Sequence, residues 1–155
     1  MKILFTKSNK IGSKLIQWGL DEPVSHVAVL FESVENTMFH ATFSGVKKET
    51  LESFLTHNEI VYNLDYNMLP VDEEIIYEKV YNKYNGDSYD VGAFVFFSIC
   101  VFFKKLFKIP LPKTNPWNST RNEICTEVAV SILNLQDVDA SMLSPYQLYL
   151  ILKAK

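Results

Sequence analysis

His26-Val27-Ala28-Val29-Leu30-Phe31, then a polar break from Ser33 to Thr37, then Met38-Phe39-His40-Ala41-Thr42: these two runs decide the fold. β-branched and aromatic side chains bounded by turn-forming residues favour extended backbone, so they read as paired strands. Each carries one of the chain's three histidines. In an antiparallel pair, a register whose residue numbers sum to 66 sets His26 opposite His40, and sums of 64 or 68 make them diagonal neighbours on one face. An odd sum puts the rings on opposite faces. A lone imidazole on an apolar strand also has an ordinary packing role, and chance pairing stands beside the functional reading. His57, in Thr56-His57-Asn58, reads as a solvated loop residue.

Upstream, Ile3 to Phe5 reads as a short strand, and Ile11, Leu15 and Trp18 fall on the stripe of a short amphipathic helix that Gly19 ends. Downstream, Glu59 to Tyr62 predicts another strand. Asp72 to Tyr84 carries Ile76, Val80 and Tyr84 at helical spacing, with Asn85-Gly86 as the stop. Thr120 and Glu123 fit a capping box, or Asn122 caps instead, and Ile124, Val128, Ile132 and Leu135 trace the inward face of the helix that follows. Either start places Cys125 near a helix N-terminus. Ser144-Pro145 opens a last helix leading into Leu148 and Leu152. Strands early and helices late predict an α+β domain spanning residues 1–155, with a small antiparallel sheet packed against helices, and not a parallel βαβ fold.

With 155 residues, 48% of them apolar, the chain can bury an ordinary core, and disorder is excluded. A net charge of −3 without a long basic run excludes the cationic surface that nucleic acid demands. The opening residues Met1 to Lys7 lack the apolar stretch of a secretory signal, and two cysteines are too few for a disulfide framework, so a reducing cytoplasm is the expected compartment.

VGAFVFFSICVFF, residues 91–103, falls short of the roughly 20 residues that span a bilayer. Without an apolar/polar period it reads as a helix buried all round, Cys100 included. The other reading is a lipid-facing surface, with peripheral contact through Phe94 to Phe103. Lys104-Lys105 fits an anionic headgroup layer or, equally, the negative end of a helix. Pro110, Pro112 and Pro116 mark a stiff loop.

Cys125 has two readings, a small buried hydrophobe or a nucleophile. A helix N-terminus and a neighbouring imidazolium favour the thiolate, so a catalytic Cys125 is expected to be partly exposed and thiolate-rich.

Ser25-His26-Val27-Ala28-Val29, then Phe39-His40-Ala41, then Ile124-Cys125-Thr126-Glu127 opening a helix resemble, in that order, the circularly permuted NlpC-like hydrolases of the papain-fold superfamily, the YiiX-like group among them. Lys2 to Thr6 and Ser144-Pro145 extend the likeness over nearly the whole chain. The resemblance implies a Cys-His-polar triad: Cys125 as nucleophile, His26 as general base and His40 in the orienting position, which a carboxylate fills in the YiiX-like pattern. Glu32 and Asn36 stand as substitutes for His40. It also implies that the Cys125 N–H contributes to an oxyanion hole.

The activity implied is a cysteine peptidase or amidase on a peptide substrate, with a cell-wall peptide as one candidate. The lecithin retinol acyltransferase group is also similar in fold, which makes an acyl-containing substrate the second reading, although Ile124-Cys125-Thr126-Glu127 departs from that group's Asn-Cys-Glu-His. A non-enzymatic binding module is the third. No cofactor is called for. His26, His40 and Cys125 also fit a three-ligand zinc site in residue type, without an HExxH or paired CxxC motif to support it.

Overall fold

A computed structural model describes residues 1–42, 44–84, 88–117, 122–136 and 138–154. Five antiparallel strands form the main sheet in the order β4-β3-β2-β1-β5: β1 is Lys2–Lys7, β2 His26–Phe31, β3 Thr37–Thr42, β4 Gly45–Thr50 and β5 Glu59–Asp65. Around it lie α1 (Ile11–Leu20), α2 (Leu51–Leu55), α3 (Pro70–Tyr84), α4 (Val91–Phe107), α5 (Cys125–Ile132) and α6 (Pro145–Lys153). Two short strands, β6 (Ser88–Tyr89) and β7 (Asn122–Glu123), pair in parallel apart from the sheet. The α+β arrangement with its antiparallel sheet is the one the pattern predicts.

Alternation along each strand feeds two cores. Ile3, Phe5, Val27, Val29, Phe31 and Phe39 face α3, α5 and α6, and with Tyr77, Val128, Ala129 and Leu148 they make the large core. Leu4, Ala28, Leu30 and Met38 face the other way, onto Phe54 and Leu51 of α2, in a small core. Burying each such side chain stabilises the fold by roughly 1.5–3 kcal/mol.

The β2–β3 register has residue numbers summing to 68 (Val29 with Phe39, Phe31 with Thr37). Five loop residues, 32–36, separate Phe31 from Thr37, with Glu35 and Asn36 both at positive φ in the tight turn that Thr37 N–H closes on the Val34 carbonyl. That odd loop length yields an even sum, so both histidines share one face as diagonal neighbours.

Two helices differ from expectation. In α1 the stripe Ile11, Leu15, Trp18 is not the buried one; Ile11 is 87% exposed and Trp18 45%, while Ile16 and Gly19 turn inward. Gly19 does not stop the helix. It lies inside α1 where α4 crosses, so close that a Cβ there would sit 2.0 Å from Val101 Cγ1. Asp21, in the left-handed region, is the C-terminal cap.

The apolar run is likewise not buried all round. α4 extends past it to Phe107, presents Ala93, Phe97, Ser98 and Val101 inward, and leaves its other side exposed because α1 covers only one face. Cys100 is half-buried. Among the described residues, no helix is long and apolar enough to cross a membrane.

Ser144 caps α6 as expected, accepting from Gln147 N–H. The Asn85-Gly86 stop and the Thr120 cap lie outside the described residues. Asn122 does not cap α5, because the helix begins only after Ile124, whose N–H donates to the Glu127 carboxylate at 2.9 Å.

Candidate active site

Cys125 is the first residue of α5, and His26 the first of β2. Together with His40 they line one cavity of about 120 Å³ at the end of the sheet where β2 begins and β3 finishes. Its lining combines polar residues, Ser8, Ser13, Ser25 and Thr42, with apolar ones, Ile16, Phe94, Phe97 and Leu143. A hydrogen bond between the hydroxyls of Ser13 and Ser25 ties α1 to the entry of β2.

The imidazoles are linked directly. His26 Nε2 lies 3.0 Å from His40 Nδ1, and His40 Nε2 lies 2.8 Å from Glu49 Oε1. Ser53 Oγ–H donates to the other carboxylate oxygen of Glu49 at 2.7 Å. Phe54, fully buried, holds both rings from one side, its centroid 6.4 Å from that of His26 and 5.0 Å, edge on, from that of His40.

Those contacts fix the protons. An ionised carboxylate only accepts, so His40 carries its hydrogen on Nε2 and offers the lone pair on Nδ1. His26 must then donate from Nε2, which leaves His26 Nδ1 as the basic nitrogen. The order is Glu49 carboxylate, His40, His26, each ring setting the tautomer of the next.

Electrostatics agree with a neutral pair of rings beside one anion. Burial, the charge of His40 and that of Lys10 hold His26 well below the usual histidine range. Burial also lowers His40, against the opposing pull of Glu49. Burial works to raise Glu49, but the Ser53 hydrogen bond and the proximity of His40 prevail and lower it, so its carboxylate is ionised at neutral pH.

Cys125 is half-buried, its sulfur facing backbone N–H groups. Burial pushes the thiol up to about 11, outweighing the N–H groups of Val27, Thr126 and Cys125 itself that favour the anion. Although the residue as a whole is not fully buried, its thiol is desolvated, and the expectation of a thiolate-rich resting state is corrected: no imidazolium offsets the desolvation, because both rings are neutral.

His40 is therefore the side chain hydrogen-bonded to His26, and the two substitutes lie elsewhere. Glu32 lies six residues along β2 from His26, about 20 Å away, where it pairs with Lys2 at 2.7 Å. Asn36 belongs to the β2–β3 turn, with its carbonyl bonded to Leu51 N–H. His57 is an exposed turn residue.

Glu49 is the member of this hydrogen-bonded cluster that sequence reasoning missed. β3 and β4 pair with His40 opposite Lys47 and Met38 opposite Glu49, so Glu49 is diagonal to His40 on the same face. Alternation in Val46-Lys47-Lys48-Glu49-Thr50 is too polar to announce a strand, yet Thr50 and Ser53, a cap and the residue it bonds, mark the helix that follows.

The zinc arrangement is not formed. Among the described residues no three His, Cys, Asp or Glu side chains could hold an ion together, and the facing nitrogens of His26 and His40 are engaged with each other. Comparison with family models, with curated proteins and with solved structures finds no match to this chain.

Proposed function

We propose that this protein is a thiol hydrolase with the circularly permuted NlpC/papain-like arrangement, a cysteine peptidase or amidase that cleaves an amide bond in a peptide. One observation carries the reading: a chain of hydrogen bonds from Glu49 through His40 ends on His26, which lines the same cavity as Cys125.

With a neutral thiol and a neutral base, the mechanism is general-base attack rather than a preformed ion pair. As Cys125 Sγ bonds to the scissile carbonyl carbon, its proton passes to His26 Nδ1. The imidazolium formed there is stabilised through His40 by the Glu49 charge. Collapse of the tetrahedral adduct breaks the C–N bond, and His26 returns the proton to the departing amine. Water then attacks the thioester, gives a proton to His26, and the thiolate leaves to be reprotonated. N–H groups at the start of α5 supply donors for the oxyanion.

The apolar lining residues Ile16, Phe94, Phe97 and Leu143 favour a second reading, an acyl-containing substrate whose thioester or lipid ester is hydrolysed or transferred by the same residues. The experiment is a panel of peptide amides, isopeptides, thioesters and phospholipids, run with wild type and Cys125→Ala. Cleavage of amides that is lost in the variant supports the peptidase. Turnover of acyl substrates alone supports the second reading. Silence across the panel overturns both in favour of a binding module.

A further inference from the structure

On α4, Val91, Val95, Ile99, Phe102 and Leu106 recur every three or four residues, the spacing of one helix face, and each is 42–51% exposed. Phe103 and Phe107 stand beside them, equally uncovered. A stripe of this length and chemistry on a helix too short to span a bilayer has the form of an interfacial helix.

Both tryptophans of the chain border it. Trp117 packs against Phe96, with ring centroids 5.4 Å apart, and Trp18 of α1 packs against Phe102 at 6.3 Å. Each is about half exposed. Indole at the margin of an apolar surface is the side chain suited to a membrane interface, where one edge is apolar and the other wet.

Charge identifies the occupant. Residues 91–122 contain Lys104, Lys105, Lys108, Lys113 and Arg121 and no acid; the segment carries +5, so the rest of the chain, which is −3 overall, carries −8. Lys105 pairs with Asp21 of α1, and Lys104 and Lys108 lie near the same carboxylate at the C-terminal end of the helix. Two copies docked symmetrically through α4 would bring two such cationic segments together. An anionic lipid surface instead receives the rings among its acyl chains and the ammonium groups among its headgroups.

We propose that the outer face of α4, bordered by Trp18 and Trp117, docks this protein on anionic membranes. The inner side of the same helix contributes Phe94 and Phe97 to the cavity wall, so one helix serves both the docked face and the cavity. The proposal stands apart from the hydrolase reading and does not need it.

The test is flotation of the full chain with vesicles of phosphatidylcholine alone or mixed with phosphatidylserine, with tryptophan emission followed in parallel. Expected are co-flotation with the anionic vesicles, weakening in high salt, and a blue shift of the emission, since both indoles border the docked face. Ile99→Asp and, separately, Phe103→Asp change exposed positions and should each weaken binding by about tenfold or more. Lys104→Glu with Lys108→Glu should abolish the preference for anionic vesicles. Cys125→Ala should float as wild type does, which separates this test from that of catalysis. Absence of flotation, flotation indifferent to the α4 substitutions, or a solution dimer that Ile99→Asp converts to monomer would each overturn the proposal, the last in favour of a second copy as the occupant.

Discussion

The two faces of β2 are built from alternate residues of one strand and do different things. Val27, Val29 and Phe31 enter the large core beneath α5, whereas Ala28 and Leu30 belong to the small core under α2, where His26 packs near Phe54 and hydrogen bonds run from it through His40 to Glu49. Stability is concentrated on the first face. The second is thin enough to admit polar groups, and both nitrogens of His40 and both carboxylate oxygens of Glu49 find partners there. The cavity forms where the two faces meet at the strand end, and the sulfur comes from the helix that covers the first of them.

Separating the faces by substitution sharpens this contrast. The largest effect expected is that of Cys125→Ala, which should lower hydrolysis by about 10⁴-fold or more with the melting temperature nearly unchanged. Phe31→Ala, on the large-core side against Tyr77, should cost about 3–5 kcal/mol in denaturant unfolding, and it breaks the comparison if activity of the folded fraction falls as far as stability does. Glu49→Gln removes the anion at the end of the hydrogen-bond chain. It should lower kcat by about 10²-fold with little change in KM, and a Glu49→Asp variant should recover part of that loss if the carboxylate acts through His40.

Thiol reactivity and acid stability give smaller signals. Because the Cys125 thiol is pushed up to about 11, iodoacetamide labelling should be slow at neutral pH and rise about tenfold per pH unit on the way to that value. Fast labelling at pH 6–7 would restore the ion-pair picture. His26 and His40 are both lowered in the folded state, so the unfolded chain binds protons first. Their contribution is complete above the ordinary histidine value and is lost as pH falls below it through the depressed folded values; Glu49, also lowered, adds a loss further down. Urea midpoints measured across that range should fall on acidification, and His40→Asn should flatten the upper part of the curve.

The sequence made the strand pair and the start of the last helix legible because they rest on local signals: β-branched runs, a polar break, Ser144 before Pro145. The face shared by His26 and His40 was legible only as a set of registers, since the loop that chooses among them depends on two residues at positive φ, Glu35 and Asn36, neither of which is glycine. Glu49 was hidden because an edge strand exposed on one side has no apolar run to reveal it. Gly19 was misleading. Glycine ends many helices, but here it admits a neighbouring helix, a long-range fact that spacing within α1 does not encode. The buried thiol was beyond reach for a similar reason, its surroundings being supplied by β2, about a hundred residues away in the chain.

That distance sets an order of events in the growing polypeptide. His26, His40, Glu49 and Phe54 all lie before residue 55, and about 70 residues must follow before Cys125 is made. A ribosome therefore releases His26, His40 and Glu49 long before Cys125, and since domains fold largely as units, no partial product can bring the four residues together. Premature termination upstream of α5 leaves the two histidines without the cysteine that shares their cavity.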